Sequence, residues 1–115
     1  MQRLNQGQIV TIVVPDPRGK NKKPRPVLIL TDSDELTTAE EFVVAAISTQ
    51  FSDPLPADCV LIPSSRDVRA KTGLMQPSVV KCHWLLKVRR RHVRCVLGHL
   101  PPEIMCDVMR IVVQM

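Results

Sequence analysis

Arg25 lies between two prolines, Pro24 and Pro26, immediately before the apolar run at residues 27–30. Proline fixes its own φ angle and also restricts the residue before it, so the backbone around Arg25 has few accessible conformations. A guanidinium is planar, permanently charged and able to donate two parallel hydrogen bonds to a phosphate or a carboxylate. The pattern therefore indicates an anion-binding arginine held at one position. An arginine that pairs a carboxylate of its own chain is the alternative.

A second group of residues that could bind phosphate or transfer protons lies in the segment SVVKCHWLLKV, residues 78–88. Lys81 and His83 are two apart, and alternate residues of a strand face the same side of a sheet. The spacing therefore predicts that these two side chains share a face and that Cys82 points away from it. Lysine can neutralise phosphate charge, and histidine is the side chain whose protonation changes near neutral pH, as a general base requires. A histidine at the surface or at an interface is the alternative.

The distribution of charge points to a polyanionic partner, nucleic acid first. The 115 residues carry a formal net charge of +5, and five of the 11 acidic side chains lie in one segment, residues 32–41. Two separate basic clusters fit a groove better than evenly spread solubilising charge, which is the alternative. The first cluster comprises Arg18, Lys20, Lys22, Lys23 and Arg25, and the second comprises Lys87, Arg89, Arg90, Arg91 and Arg94.

Several other chemistries are set aside. The four cysteines form no CxxC pair, and the histidines and cysteines of residues 82–99 lack the spacing of recognisable zinc sites, so no metal is expected. Because each cysteine lies among apolar neighbours, buried and reduced thiols are predicted. No glycine-rich loop could hold a nucleotide phosphate. Aromatic residues make up 3% of the chain, too few for aromatic base-stacking platforms. The cysteines are Cys59, Cys82, Cys95 and Cys106.

The elements that must position these residues form one domain, residues 1–115, that is mainly β and ends in a helix. β-Branched and apolar runs predict strands over residues 8–14, 25–32, 42–50, 59–63, 67–71, 78–88 and 93–99. The polar connection after residue 32 has room for one helical turn, and the helical spacing of Ile104, Val108 and Ile111 predicts a helix that begins near Pro102. No leader or membrane-spanning run is recognised, which predicts a cytoplasmic protein.

Five segments follow one another along the chain: GQIVTIVVPDP with the basic loop after it, RPVLIL, VVAAIST, SVVKCHWLLKV and LGHLPPEIMCDVMRIV. In this order they resemble the MazF/PemK toxins of bacterial toxin–antitoxin pairs. The resemblance covers nearly the whole chain. It implies a small SH3-like barrel of the CcdB-like type that forms a homodimer and needs no cofactor. It also implies a cognate antitoxin whose C-terminal segment fills the groove.

The activity that the resemblance implies is sequence-selective cleavage of single-stranded RNA without a metal. The 2′-hydroxyl attacks the neighbouring phosphorus, which yields a 2′,3′-cyclic phosphate and a 5′-hydroxyl. Orientation of the phosphate, stabilisation of its charge and two proton transfers are then the tasks of the protein. An alternative on the same scaffold is a weakly catalytic or non-catalytic toxin that binds RNA or a protein such as DNA gyrase.

The resemblance also implies roles for particular residues. Arg25 matches the catalytic arginine of the family, and Ser48 matches its phosphate-binding hydroxyl at the end of the third strand, beside Thr49. Because strand neighbours face opposite sides, Ser48 rather than Thr49 is expected in the groove. Lys81 and His83 occupy places where some relatives carry Arg and Asp, and the loop histidine of those relatives is absent here. We hypothesise that His83 partly replaces the missing acid–base pair. RNA contacts are expected from Arg18, Lys20, Lys22, Lys23, Thr49 and Lys81.

Overall fold

A computed structural model describes residues 3–14 and 23–114 of the chain, so most of the predicted basic loop lies outside the described residues. The strands are β1 (Gln8–Val14), β2 (Lys23–Ile29), β3 (Glu41–Ser48), β4 (Cys59–Ile62), β5 (Ser78–Arg89) and β6 (Val93–His99). The helices are α1 (Ser33–Leu36), α2 (Arg66–Thr72) and α3 (Pro102–Gln114). The strands form one antiparallel sheet in the order β4-β5-β3-β2-β1-β6. None of the helices in the described part is long and apolar enough to cross a membrane.

The sheet buries an apolar cluster on each of its faces, because successive strand residues point to opposite sides. On one face, Leu28 and Ala45 pack beneath α3, where Val108 is fully buried. On the other face, Val27 and Val44 belong to a cluster that draws apolar side chains from β1, β2, β3, β5 and β6. Five strands that share one apolar interior require the sheet to curve around it, as in a small barrel. The prediction of a mainly β fold with a C-terminal helix is confirmed.

The segment predicted as a short strand at residues 67–71 is instead the helix α2, and that prediction was wrong. The backbone is extended at Ser65, and the helix ends at Gly73, whose φ of 74° is left-handed. Glycine reaches this conformation without the penalty that a Cβ brings. Only Val68 of this helix packs against the apolar cluster beneath α3, whereas its charged side chains are exposed. A short helix can therefore bury Val68 against this cluster while its charged side chains stay exposed to solvent.

Helix α2 lies against β6 through a close approach of two glycines. A Cβ on Gly98 would lie 2.1 Å from the carbonyl oxygen of Lys71, and a Cβ on Gly73 would lie 2.5 Å from that of Leu97. No side chain fits in either place. Thr72, the last residue of α2, is fully buried, and its Oγ1 accepts a hydrogen bond from the backbone N–H of Leu74 at 3.1 Å. These contacts fix where the segment after α2 runs.

The environments of the cysteines differ from the prediction of uniform burial. Cys82 is fully buried and Cys59 is half-buried, but Cys95 and Cys106 are exposed. Cys95 lies on β6, an edge strand with one sheet neighbour, and Cys106 lies on the outer side of α3, away from buried Val108. All four are free thiols. Apolar neighbours in sequence therefore did not imply burial at these two positions.

The second basic cluster contains one arginine with a structural task. The Arg90 guanidinium donates hydrogen bonds to the carbonyl oxygens of Leu36 and Ala39, and its backbone N–H donates to Glu40 at 3.0 Å. Arg90 thereby ties the turn after β5 to the connection between α1 and β3. The other four members of the cluster, Lys87, Arg89, Arg91 and Arg94, are exposed.

Candidate functional site

An open cleft of about 820 Å³ lies at the ends of β2 and β3, beside β5 and the segment that follows α2. Among the described residues that line it, none is Asp, Glu or His, so the cleft is positively charged and suits an anion. Its cationic and hydroxyl side chains are those of Lys23, Arg25, Ser48, Thr49, Ser78 and Lys81. Gln50 and Gln76 add amide groups, and Met75, Trp84 and Leu86 add apolar surface.

The prolines beside Arg25 help to open this cleft. In β2, Pro24 lies opposite Val13 and Pro26 lies opposite Thr11, so this part of β2 pairs with β1. The ladder between β2 and β3 ends further along β2, where Val27 pairs with Ala46 of β3. A proline has no N–H to donate to a neighbouring strand, so it is tolerated where one side of a strand is unpaired. The unpaired ends of β2 and β3 leave the space that Arg25 lines.

Arg25 itself carries an unused donor. The residue is half-buried in β2, and its Nε is a buried atom without a hydrogen-bond partner among the described residues. A buried N–H without an acceptor costs about 1–3 kcal/mol. An acceptor bound in the cleft, such as a phosphate oxygen, would relieve that cost. The geometry therefore favours binding of an anion at Arg25.

Ser48 is the last residue of β3, and its side chain is half-buried in the cleft. Its Oγ accepts a hydrogen bond from the N–H of Gln50 at 3.0 Å and donates one to the carbonyl oxygen of Gln50 at 3.3 Å. Thr49 lines the cleft as well, although strand alternation predicted only one of the two there. Because β3 ends at Ser48, the backbone at Thr49 no longer follows the alternation of a strand.

Strand β5 places Lys81 in the cleft and leaves His83 outside the lining, so the prediction that the two side chains share a face stays a prediction. Ala46 of β3 lies opposite Lys81, whereas the preceding residue of β3, Ala45, lies opposite Leu85. Residues 82–84 are thus inserted as an irregularity that reverses the alternation of side chains along β5. Lys81 lines the cleft together with Trp84, and His83 is not among its lining residues.

The ring of His83 contacts Asp58 instead. His83 Nδ1 lies 2.7 Å from Asp58 Oδ2, with the two side chains 50% and 39% exposed. The structure therefore brings Arg25, Ser48, Thr49, Lys81 and Lys23 to one cleft, and it holds His83 outside that group. The expected RNA contacts Arg18, Lys20 and Lys22 lie outside the described residues.

Sequence reasoning missed Trp84, the one tryptophan of the chain, as a cleft residue. Its position depends on the irregularity in β5, which no local pattern announced. The glutamines Gln50 and Gln76 were missed for a similar reason, because both lie outside the strands.

The thiols near Asp58 are poor nucleophiles. Burial, with smaller contributions from the charges of Cys59 and Asp58, raises the pKa of Cys82 to about 11. Burial also raises the pKa of Cys59, and Asp58 adds to this effect while Lys81 opposes it. Thiols with raised pKa values remain protonated near neutral pH, so neither is suited to nucleophilic catalysis.

Comparison with known proteins identifies the family. The profile of the family described as PemK-like, MazF-like toxin of type II toxin-antitoxin system matches residues 5–115. The chain belongs to this family. No curated protein sequence matches the chain significantly. The prediction made from the five sequence segments is confirmed.

Solved structures of MazF-type toxins share the fold. The MazE–MazF complex of Deinococcus radiodurans matches with a TM-score of 0.76 at 14% identity, over 99% of this chain and 96% of that chain. Mycobacterium tuberculosis toxin MazF-mt6 matches with a TM-score of 0.69 at 24% identity, over 91% and 93% of the two chains. A mycobacterial endoribonuclease in complex with its cognate antitoxin matches with a TM-score of 0.72 at 13% identity, over 96% of this chain and 92% of that chain. The predicted fold class, the small MazF-type barrel with a C-terminal helix, is confirmed.

Proposed function

We propose that this MazF-like toxin is an endoribonuclease that cleaves single-stranded RNA at the cleft between β2 and β3. The observation that carries the proposal is the meeting of Arg25, Ser48 and Lys81 in one open, positively charged cleft. An RNA backbone offers the phosphate oxygens that such a cleft can bind. Family membership supports the proposal, because a structural relative bears the name endoribonuclease.

Cleavage requires no external nucleophile. The 2′-oxygen of the RNA attacks the adjacent phosphorus, the bond from phosphorus to the 5′-oxygen breaks, and a 2′,3′-cyclic phosphate and a 5′-hydroxyl result. One proton leaves the 2′-hydroxyl and one reaches the departing 5′-oxygen, so the numbers of protons balance. The charge that builds up on the phosphoryl oxygens is the part that a fixed cation can stabilise.

The proposed roles follow from the positions of the side chains. Arg25 binds two phosphoryl oxygens, and its unpartnered Nε supplies one of the donors. Ser48 holds a non-bridging oxygen after its hydroxyl turns away from the carbonyl oxygen of Gln50. Lys81 and Lys23 bind flanking phosphates. Arg25 stabilises charge and is not the base, because a guanidinium stays protonated at any pH near neutrality.

The hypothesis that His83 is the general base stays a prediction, and the contact with Asp58 outside the cleft does not support it. Its test is the pH profile of RNA cleavage by His83→Gln. A profile that loses the rise of the rate on its acidic side supports the hypothesis, and a profile that keeps its shape excludes it.

Several further properties belong to the proposal. The toxin acts in the cytoplasm as a homodimer, and a cognate antitoxin fills the cleft with an acidic segment. Relatives crystallised with their antitoxins support the existence of a cognate antitoxin. Base selection is assigned to residues 15–24, most of which lie outside the described residues, and to the loop at residues 51–58, where unpaired bases can be contacted.

A second candidate function follows from one observation. None of the described residues that line the cleft carries a carboxylate or an imidazole, so the usual acid–base groups are lacking there. This favours a toxin on the same scaffold that binds RNA, or a protein such as DNA gyrase, without cleaving it.

Incubation of the purified protein with a long single-stranded RNA in excess EDTA separates the two functions. Fragments with cyclic phosphate ends, lost in Arg25→Ala, are expected from the nuclease. RNA that is retained but stays intact would overturn the proposed cleavage and favour the binding toxin, whose effect on gyrase is then measured as loss of DNA supercoiling.

A further inference from the structure

Three side chains of the kinds that bind transition metals meet at the start of β4, outside the lining of the cleft. The Sγ of Cys59 lies 3.8 Å from Asp58 Oδ1, and His83 Nδ1 lies 2.7 Å from Asp58 Oδ2. One sulfur, one carboxylate oxygen and one imidazole nitrogen all lie within 4.8 Å of one another. Separation in sequence hid this group, because His83 is far along the chain from Asp58 and Cys59.

The backbone holds the three residues in place. Cys59 pairs with Lys81 in the ladder between β4 and β5, and the N–H of Cys82 donates to the carbonyl oxygen of Asp58 at 2.9 Å. The next residue of β5 is His83, in the segment where that strand loses its register with β3. The irregularity that removes His83 from the cleft therefore brings its ring to Asp58.

We propose that Asp58, Cys59 and His83 bind a zinc ion. Zinc prefers thiolate, imidazole and carboxylate ligands in a tetrahedron with bonds of about 2.0–2.3 Å, so ligand atoms around it lie roughly 3.3–3.8 Å apart. The observed spacing brackets that range, and small rotations of exposed side chains bring the atoms to it. Two anionic ligands neutralise the ion, and a water molecule completes the tetrahedron.

Solvent exposure favours metal binding at this site, whereas the nearby positive charge opposes it. The side chains of His83 and Asp58 are 50% and 39% exposed, which gives a metal a path of entry. Lys81 lies beside Cys59 in the ladder, and its positive charge opposes the binding of a cation. Affinity is therefore expected to be weaker than that of a closed structural site with four protein ligands. The competing explanation of the same contacts is an ion pair of His83 with Asp58 that binds no metal.

The test uses the full-length protein stripped with EDTA and then freed of the chelator. Zinc titrated by calorimetry is expected to bind with one equivalent per chain. Cobalt in its place is expected to produce the absorption of a tetrahedral, thiolate-bound ion. Bound zinc is also expected to protect Cys59 from alkylation, as located by peptide mass mapping.

Variants separate this site from adventitious binding. Cys59→Ser and His83→Gln are each expected to lower the zinc affinity by about tenfold to a hundredfold. Cys95→Ser and His99→Gln, which change the same residue types on β6, are expected to leave the affinity unchanged. Absence of stoichiometric binding, or binding that survives Cys59→Ser in a folded protein, would overturn the proposal. Cleavage of RNA is expected in EDTA, so either proposal can fail while the other stands.

Discussion

Arg25 and Ser48 each lie two residues beyond the last pair of the β2–β3 ladder, Val27 with Ala46, and both line the same cleft. Continuation of the antiparallel register from that pair places the two residues opposite each other, on the face that Val27 and Ala46 share. The ladder ends before it reaches them. A guanidinium and a hydroxyl therefore stand at the mouth of an opening between two strands, with space for a phosphate.

Loss of the Arg25 guanidinium is expected to abolish most of the cleavage. Arg25→Ala should lower kcat/KM by about a hundredfold or more, because one fixed donor to a developing oxyanion is worth that much. Arg25→Lys should recover little of the rate, since an ammonium lacks the planar pair of donors. The measurement is cleavage of a defined RNA. Arg91→Ala, which removes the same charge from an exposed turn, is the control, and an equal loss there would contradict the assignment.

Substitution of two lysines in β5 tests which side chains of that strand face the cleft. Lys81 lines the cleft, whereas Lys87 lies beyond the irregularity and outside the lining. Lys81→Ala should weaken RNA binding and reduce the slope of log affinity against log salt by about 0.7 for a single strand, because one phosphate contact is lost. Lys87→Ala should change both less. Binding titrations over a series of salt concentrations measure the slopes, and equal slopes for the two variants would refute the assigned geometry.

The packing of α3 predicts that an aspartate at one valine destabilises the protein strongly, whereas an aspartate at another valine of the same helix has little effect. Val108 is 0% exposed and Val113 is 75% exposed on the same helix. Val108→Asp buries an unpaired charge and should cost about 4 kcal/mol or more, enough to unfold a marginally stable domain. Val113→Asp should change the free energy of unfolding by less than about 0.5 kcal/mol. Urea denaturation decides, and a near-native midpoint for Val108→Asp would refute the placement of the helix.

The contact between α2 and β6 makes Gly98 irreplaceable. A Cβ at Gly98 would lie 2.1 Å from a backbone oxygen, which neither chain segment can relieve by a rotamer change. Gly98→Ala should therefore destabilise the fold by about 2 kcal/mol or more. Gly7→Ala is the comparison: its φ is 90°, but its Cβ would have 3.8 Å to the nearest side chain, so a cost of about 1 kcal/mol is expected. The reverse order of the two midpoints in urea would contradict this packing.

The thiols should differ in reactivity. With a pKa of about 11, the Cys82 thiol is ionised in roughly one molecule in a thousand at pH 8, and it is also fully buried. Because a raised pKa means less thiolate at a given pH, Cys82 should react with a disulfide reagent only on unfolding. Cys95 and Cys106 should react in the native protein. The number of thiols that react per chain, measured with and without denaturant, tests this prediction. Slow labelling of Cys95 or Cys106 in the native protein would mean that another chain covers that surface.

Local patterns in the sequence determined much of the fold. Runs of β-branched residues predicted β1 and β5 within one residue of their bounds, and helical spacing predicted the start of α3 at Pro102. These elements are long and strongly periodic, so their own residues contain the information. The same holds for Arg25, whose flanking prolines act on the adjacent backbone.

Only the tertiary structure decided which side chains meet. The end of the β2–β3 ladder at Val27 and Ala46 leaves the cleft open, and the irregular segment of β5 places Trp84 rather than His83 in its lining. Neighbouring residues carry no mark of the irregularity in β5, because it arises from pairing with strands that are distant in the chain. Exposure of Cys95 was likewise decided by the position of β6 at the edge of the sheet. Local propensity acts over a few residues, whereas the register of a sheet is set by the burial of all its strands together.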